Sequence, residues 1–167
     1  MKKEDFVVGI DNWSNHRLLL WPALEATKAL GLPVLELGTG DGSTPFLQQY
    51  CKDEGLELFS YDFNYKWAQK FGAVHVSDWE TLPWRKEYGV VLCDESPGEQ
   101  RRTSISKLHH AKIIIVHDSE PAGWTAADYK VREEFDAYKY RVDLQAPKGQ
   151  AWATALSNFI DLQEAFK

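Results

Sequence analysis

Pro33-Val34-Leu35-Glu36-Leu37-Gly38-Thr39-Gly40-Asp41-Gly42-Ser43-Thr44-Pro45 sets the fold class of this chain. The first five residues form a short apolar run, too brief for a helix and suited to a buried strand. Glycines at alternate positions follow, where the absence of a Cβ allows positive φ and lets backbone approach a ligand closely. A hydroxyl residue ahead of Pro45 then opens a helix, with proline at the first helical position. A strand thus passes through a tight glycine turn into a helix.

The same unit recurs on both sides. Upstream, Leu18, Leu19, Trp21, Ala23, Leu24, Ala26 and Leu30 recur at mostly helical intervals, so a helix is expected from Ser14 to Leu30. Ser14 or Asn15 caps it and Gly31 ends it. Downstream come expected strands at Leu56–Tyr61, Ala73–Ser77 and Tyr88–Cys93, with a short helix opened by Asn64 between the first two. A polar helix is expected from Glu99 to His110. Ile113-Ile114-Ile115-Val116 is β-branched throughout and reads as a buried parallel strand near the sheet centre. Thr125 is expected to cap a helix reaching Tyr138. Strands Tyr140–Leu144 and Ala151–Ser157, joined through Pro147-Lys148-Gly149, form an antiparallel hairpin. Repeated βα units predict an α/β fold, a doubly wound, Rossmann-like seven-stranded sheet, mostly parallel, with a C-terminal antiparallel hairpin. With 167 residues and no linker or repeat, residues 1–167 are expected to form a single domain.

Composition narrows the function. A net charge of −6 and a pI near 5.4 argue against nucleic acid as the main partner, whose binders carry a clustered basic face. Cys51 and Cys93 have neither metal-ligand nor redox spacing. No apolar run approaches a membrane span and no signal peptide opens the chain, so a soluble cytoplasmic protein is expected.

In the decisive stretch, Gly42 falls one position early for the dinucleotide fingerprint and Ser43 stands at the third-glycine place, which disfavours a nicotinamide enzyme. The form Glu36-x-Gly38-x-Gly40-x-Gly42, followed by alternating units and a final hairpin, resembles the class I S-adenosylmethionine-dependent methyltransferases over nearly the whole chain. The resemblance implies that Gly38, Thr39, Gly40, Gly42 and Ser43 bind S-adenosylmethionine, with Glu36 reaching its amino group directly or through water. It also implies that Asp62, with Phe63 beside it, takes the ribose hydroxyls. Asp78 would meet the adenine amino group and Trp79 would stack on the ring.

Ligands in such sheets bind beyond the carboxyl ends of the strands, which brings two further loops to the reacting group. These are Asp94-Glu95-Ser96-Pro97 and His117-Asp118-Ser119-Glu120. They lack the Asn/Asp-Pro-Pro-aromatic motif of amino-directed methyltransferases, and they partly resemble metal-dependent O-methyltransferases. Asp94, Asp118 and Glu120 are therefore expected as Mg2+ ligands, and His117, Asp118 and Asp94 as catalytic residues, His117 as general base. Arg101 and Arg102, cations at a helix start, are expected to face an anionic substrate or to pair with Glu95 or Glu99. Asn15-His16-Arg17 are expected near the cofactor. The functional expectation is methyl transfer to a small molecule, at oxygen. The alternative is a non-catalytic sensor or assembly partner binding S-adenosylmethionine or S-adenosylhomocysteine. A partner subunit or a second copy could supply substrate recognition, because the chain adds little to the minimal fold.

Overall fold

A computed structural model describes residues 1–126 and 128–167. Seven strands form one sheet: β1 (Val34–Leu37), β2 (Leu58–Asp62), β3 (Val74–His75), β4 (Val90–Cys93), β5 (Ile113–His117), β6 (Tyr140–Leu144) and β7 (Ala153–Ser157). Their order is β3-β2-β1-β4-β5-β7-β6. The first five are parallel, and β7 runs antiparallel to both β5 and β6. This is a Rossmann-like sheet whose direction of winding reverses between β1 and β4.

The helices are α1 (Lys3–Phe6), α2 (Arg17–Thr27), α3 (Thr44–Glu54), α4 (Tyr65–Phe71), α5 (Gln100–Lys107) and α6 (Leu162–Ala165). Because strand side chains alternate between faces, the sheet feeds two separate cores. Val34, Val90, Leu92, Ile113, Ile115, Ala153 and Ala155 meet Leu20, Leu24, Leu47 and Tyr50 from α2 and α3. Leu35, Leu37, Val91, Cys93, Ile114, Val116 and Leu156 meet Trp79, Ile105, Leu108, Phe135 and Tyr138 on the opposite face. Strands with both faces covered in this way are largely apolar, as in Val90–Cys93 and Ile113–Val116. Among the described residues, no helix is long and apolar enough to cross a membrane.

Three expectations are corrected. The helix expected from Thr125 to Tyr138 is a 3-10 segment over Val131–Ala137, preceded by loop, and residue 127 of that expected helix lies outside the described residues. Lys130 adopts a left-handed conformation with φ +53 and interrupts any longer helix. The third strand shrinks from Ala73–Ser77 to Val74–His75, an exposed edge. The first helix begins at Arg17, with 14–16 turning ahead of it, and ends through a 3-10 turn into Gly31 at φ +62.

Candidate functional site

Strand register assembles the site. Leu37 pairs with Tyr61 and Cys93, and Cys93 pairs with Val116, so Gly38, Asp62, Asp94 and His117 emerge side by side at the carboxyl edge. A cleft of about 730 Å3 opens there, lined by Gly38, Thr39, Asp62, Phe63, Asp94 and Ser96, with Tyr65 and Trp67 from α4. That volume lies in the usual range for small-molecule sites.

Gly38 has no alternative. Its φ is +83, and a Cβ would lie 2.3 Å from the Asp94 carbonyl oxygen, since the β1 and β4 loops are in backbone contact. Gly42 packs close to the Trp13 carbonyl and Ser14, at 3.1 and 3.2 Å from a built Cβ, so the turn is roofed by the N-terminal segment. Thr39 is latched to Asp62: its backbone N–H and its hydroxyl both donate to Asp62 Oδ2, each at 2.7 Å. Oδ1 accepts from the Asn64 N–H at 2.7 Å. A carboxylate offers about four acceptor positions, so capacity remains on Asp62 toward the cleft. Phe63 beside it is 45% exposed, enough to present a ring face.

Glu36 does not reach the cleft. It is fully buried under the turn, accepting from Ser43 Oγ at 2.6 Å and Thr44 Oγ1 at 3.0 Å on one oxygen, and from Ser60 Oγ at 2.7 Å on the other. Burial pushes its pKa up to about 7, against the pull of those hydroxyls. Its place is therefore structural: it gathers the hydroxyls that shape the turn, and Thr44 Oγ1 in turn accepts from the Gly40 N–H. Ser43 is likewise buried, with its hydroxyl committed to Glu36.

The expected adenine contacts are also displaced. Trp79 sits in the core, and its indole N–H donates to the Ser96 carbonyl, bracing the β4 loop from below and leaving no face for stacking. Asp78 is exposed and caps the 3-10 turn at Trp79–Thr81 by accepting from the Glu80 N–H. Tyr65 and Trp67, which do line the cleft, were not singled out from the sequence. Their alternation at the start of α4, directly after Asp62-Phe63-Asn64, is the signal that could have found them.

The two acidic loops converge on a cation. Arg101, buried in the first turn of α5, donates from Nη2 to Asp94 Oδ1 at 3.0 Å and from Nη1 to Asp118 Oδ2 at 2.7 Å. It also reaches the carbonyls of Glu95 and His117 at 3.2 and 3.1 Å. Burial disfavours the guanidinium charge, but Asp94 and Asp118 more than restore it, so its pKa is raised. The expected Mg2+ trio is not assembled: a guanidinium bridges Asp94 and Asp118, and Glu120 turns away to accept from Thr125 Oγ1 and the Trp152 N–H. Asp118 has a left-handed backbone at φ +50, tolerable for aspartate and held there by Arg101. Of the expected pairings for Arg101, only the backbone of Glu95 is met. Arg102 instead pairs with Glu133 and Glu134.

His117 is buried, with Nδ1 3.1 Å from Asp94 Oδ1 and Nε2 3.4 Å from the Asn12 carbonyl. Both partners can only accept, so both nitrogens donate and the ring carries its cation. Burial pulls its pKa down, yet Asp94 and Asp118 lift it to about 8. Burial would raise the Asp94 carboxyl, but His117 and Arg101 hold it well below the usual carboxylate range. A cationic ring with both nitrogens engaged does not serve as the exposed general base expected for it. His16 packs edge-on against it with ring centroids 4.8 Å apart, itself buried and held neutral by burial and by the His117 charge. Residues 11–17 thus close the site from behind. Asn12 also accepts from the Ala151 N–H, and Asn15 donates to the Ala151 carbonyl.

No protein-family model matches the sequence, and comparison with curated proteins gives no match. Among solved structures, the chain is similar to cofactor-bound Rv0187 from MTB, with a TM-score of 0.57 and 17% identity over 94% of each chain. It is also similar to WbdD, with a TM-score of 0.53 and 16% identity over 91% of this chain. This chain spans only 38% of the WbdD chain. At these identities the likeness is one of fold. With the strand order and the terminal hairpin, it defines a Rossmann-like α/β fold.

Proposed function

We propose that the chain is an S-adenosylmethionine-dependent methyltransferase acting on a small molecule, with oxygen as the acceptor. One observation carries this reading: a glycine turn in backbone contact with the β4 loop faces Asp62 and Phe63 across a cleft at the point where the sheet winding reverses, where such folds bind ligands. The residues fit the cofactor. Asp62 keeps acceptor capacity for ribose hydroxyls, and exposed Phe63 offers the ring face that buried Trp79 does not. Gly38 and Thr39 present backbone where the amino acid end would pass, and Asp94 and Ser96 face the same space. The cofactor supplies an electrophilic methyl group, and the chain's main contribution is alignment of the acceptor with it. Arg101 fixes Asp94 and Asp118, the acids nearest the acceptor side, in one geometry.

The second reading is non-catalytic binding of S-adenosylmethionine or S-adenosylhomocysteine as a sensor or assembly partner. It is favoured by the charge balance, since Arg101 and the His117 cation together offset both acids and His117 has no free nitrogen. In the catalytic reading a second copy or a partner subunit contributes part of acceptor recognition, with a cytoplasmic protein and neither nucleic acid nor membrane as the setting.

Calorimetric titration with S-adenosylmethionine and S-adenosylhomocysteine, with and without Mg2+ and with NAD as control, tests the cofactor. Saturable binding weakened in Asp62→Ala supports the assignment, and unchanged affinity in that variant refutes it. Binding without turnover across a panel of hydroxylated acceptors favours the second reading. Asp118→Ala is expected to keep cofactor affinity while losing turnover.

A further inference from the structure

His16 presents a problem that packing does not solve. Its ring is 1% exposed, and neither nitrogen has a hydrogen-bond partner. A neutral imidazole keeps one donor and one acceptor, and leaving a buried polar atom unsatisfied costs about 1–3 kcal/mol. A phenylalanine would fill the same space without that cost. The side chains beside it explain what an imidazole could do there. One donor atom each from His16, Asp94 and His117 lie within 4.8 Å of one another.

We propose that these three residues bind one transition-metal dication of the Zn2+ or Fe2+ type, in preference to Mg2+. The site differs from the acidic trio of the two loops and shares only Asp94 with it. Two imidazoles and one carboxylate are the ligand chemistry of borderline metals, whereas Mg2+ takes oxygen ligands and keeps its waters. His117 Nδ1 and Asp94 Oδ1 are 3.1 Å apart. Two ligands at ordinary zinc bond lengths stand roughly 3.0–3.4 Å apart on one ion, so this edge needs no rearrangement. The ion takes the place of the proton between those two atoms, and that proton leaves to solvent. His16, which spends its nitrogens on nothing else, completes the set by closing in by up to roughly 1.4–1.8 Å, from the 4.8 Å within which the donor atoms lie to the spacing of two ligands on one ion.

The surroundings suit a cation. Asp118 Oδ1 lies 3.8 Å from His117 Nδ1 and adds a second negative charge. Arg101 pins both carboxylates and acts as an outer partner that fixes their orientation. The Nε2 of His117 donates to the Asn12 carbonyl, which leaves Nδ1 as the liganding atom and sets the ring plane. Entry is through the cleft, because Asp94 retains 24% of its side-chain exposure and lines the cleft wall. An ion here would sit behind the part of the cleft wall that Asp94 forms.

The test uses the full chain and the metal alone. Cobalt(II) is titrated into chelator-treated protein while its visible d–d absorption is followed, with Zn2+ and then Mg2+ as competitors. One cobalt per chain, intense bands of a nitrogen-containing low-coordinate site, displacement by Zn2+ and no displacement by Mg2+ are expected. His16→Gln should weaken cobalt binding by more than the ~10–100-fold that loss of an outer partner costs, while Glu120→Gln should leave it unchanged. Folding of each variant is checked by thermal melting. Absence of saturable binding to the wild type, equal competition by Mg2+, or unaltered affinity in a folded His16→Gln variant overturns the proposal. None of these readouts needs S-adenosylmethionine, so a failed cofactor titration leaves this result standing and the reverse holds too.

Discussion

Glu36 gives the sharpest quantitative handle on the structure. Its carboxyl is fully buried beneath the glycine turn, and burial lifts its pKa from 4.5 to about 7. In the unfolded chain it ionises near the ordinary value, so between these pH values the unfolded state loses a proton that the folded state keeps. Stability therefore falls as pH rises through this window, levelling off above about 7, and the loss is roughly 3 kcal/mol at ~1.4 kcal/mol per pH unit. Glu95, fully buried, is lifted to about 7 by the same cause against the pull of the Ser104 hydroxyl and the Arg101 charge, and adds a comparable loss. His117 works in the same direction at higher pH: its contribution is complete below its ordinary 6.5 and disappears as pH rises through about 8. Urea denaturation followed by tryptophan fluorescence should thus show lower stability at about pH 8 than at about pH 5. Glu36→Gln keeps a neutral side chain at all these pH values. Whatever it does to absolute stability, it should shrink the difference between the two pH values by roughly 3 kcal/mol. Glu95→Gln should remove a second, separate portion. An unchanged pH dependence in Glu36→Gln would mean that water or a rearranged Ser43 and Ser60 solvates the charge, and the burial argument would fail.

Other expectations follow from the same geometry. Gly38→Ala drives a Cβ into the Asp94 carbonyl at a positive φ, and should cost at least ~2 kcal/mol by thermal melting together with most cofactor affinity by calorimetry. Arg101→Met leaves Asp94 and Asp118 as neighbouring half-buried acids and should cost about 2–3 kcal/mol, less than the loss from a fully buried pair. Adding Asp118→Asn to that variant should recover part of the loss, and a double-mutant cycle showing no coupling would refute the clamp.

The fold was legible because its signals are local. The Val34–Leu37 run, the β-branched Ile113–Val116 and the helix stop at Gly31 each act within a few residues, and the alternation of units then limits the topology. The glycine turn was legible for the same reason, and Asp62, which the family resemblance pointed to, lines the cleft beside it. The rest depends on side chains that meet across the sheet. Nothing near Arg101 in sequence shows that the loops after β4 and β5 will both close on it. Nothing near Glu36 shows that three hydroxyls will seal it in. Trp79 illustrates the ambiguity of an aromatic residue at a strand end, where the core and the cleft lie one side-chain length apart. The helix expected after Thr125 failed because a left-handed Lys130 and loop packing overrode a polar pattern with reasonable helix propensity.

The segment over residues 11–17 has one further consequence, for the order in which the molecule can be made. The Asn12 carbonyl faces His117, 105 positions later, and the Asn12 amide oxygen and the Asn15 amide contact Ala151, 139 and 136 positions later. In synthesis this stretch emerges more than 100 residues before its partners do. Closing loops of that length carries an entropic cost before any contact repays it. The back wall of the site should accordingly form late, after the sheet has condensed, and amide protons of residues 11–17 should gain protection after those of β1, β4 and β5 in pulse-labelled refolding.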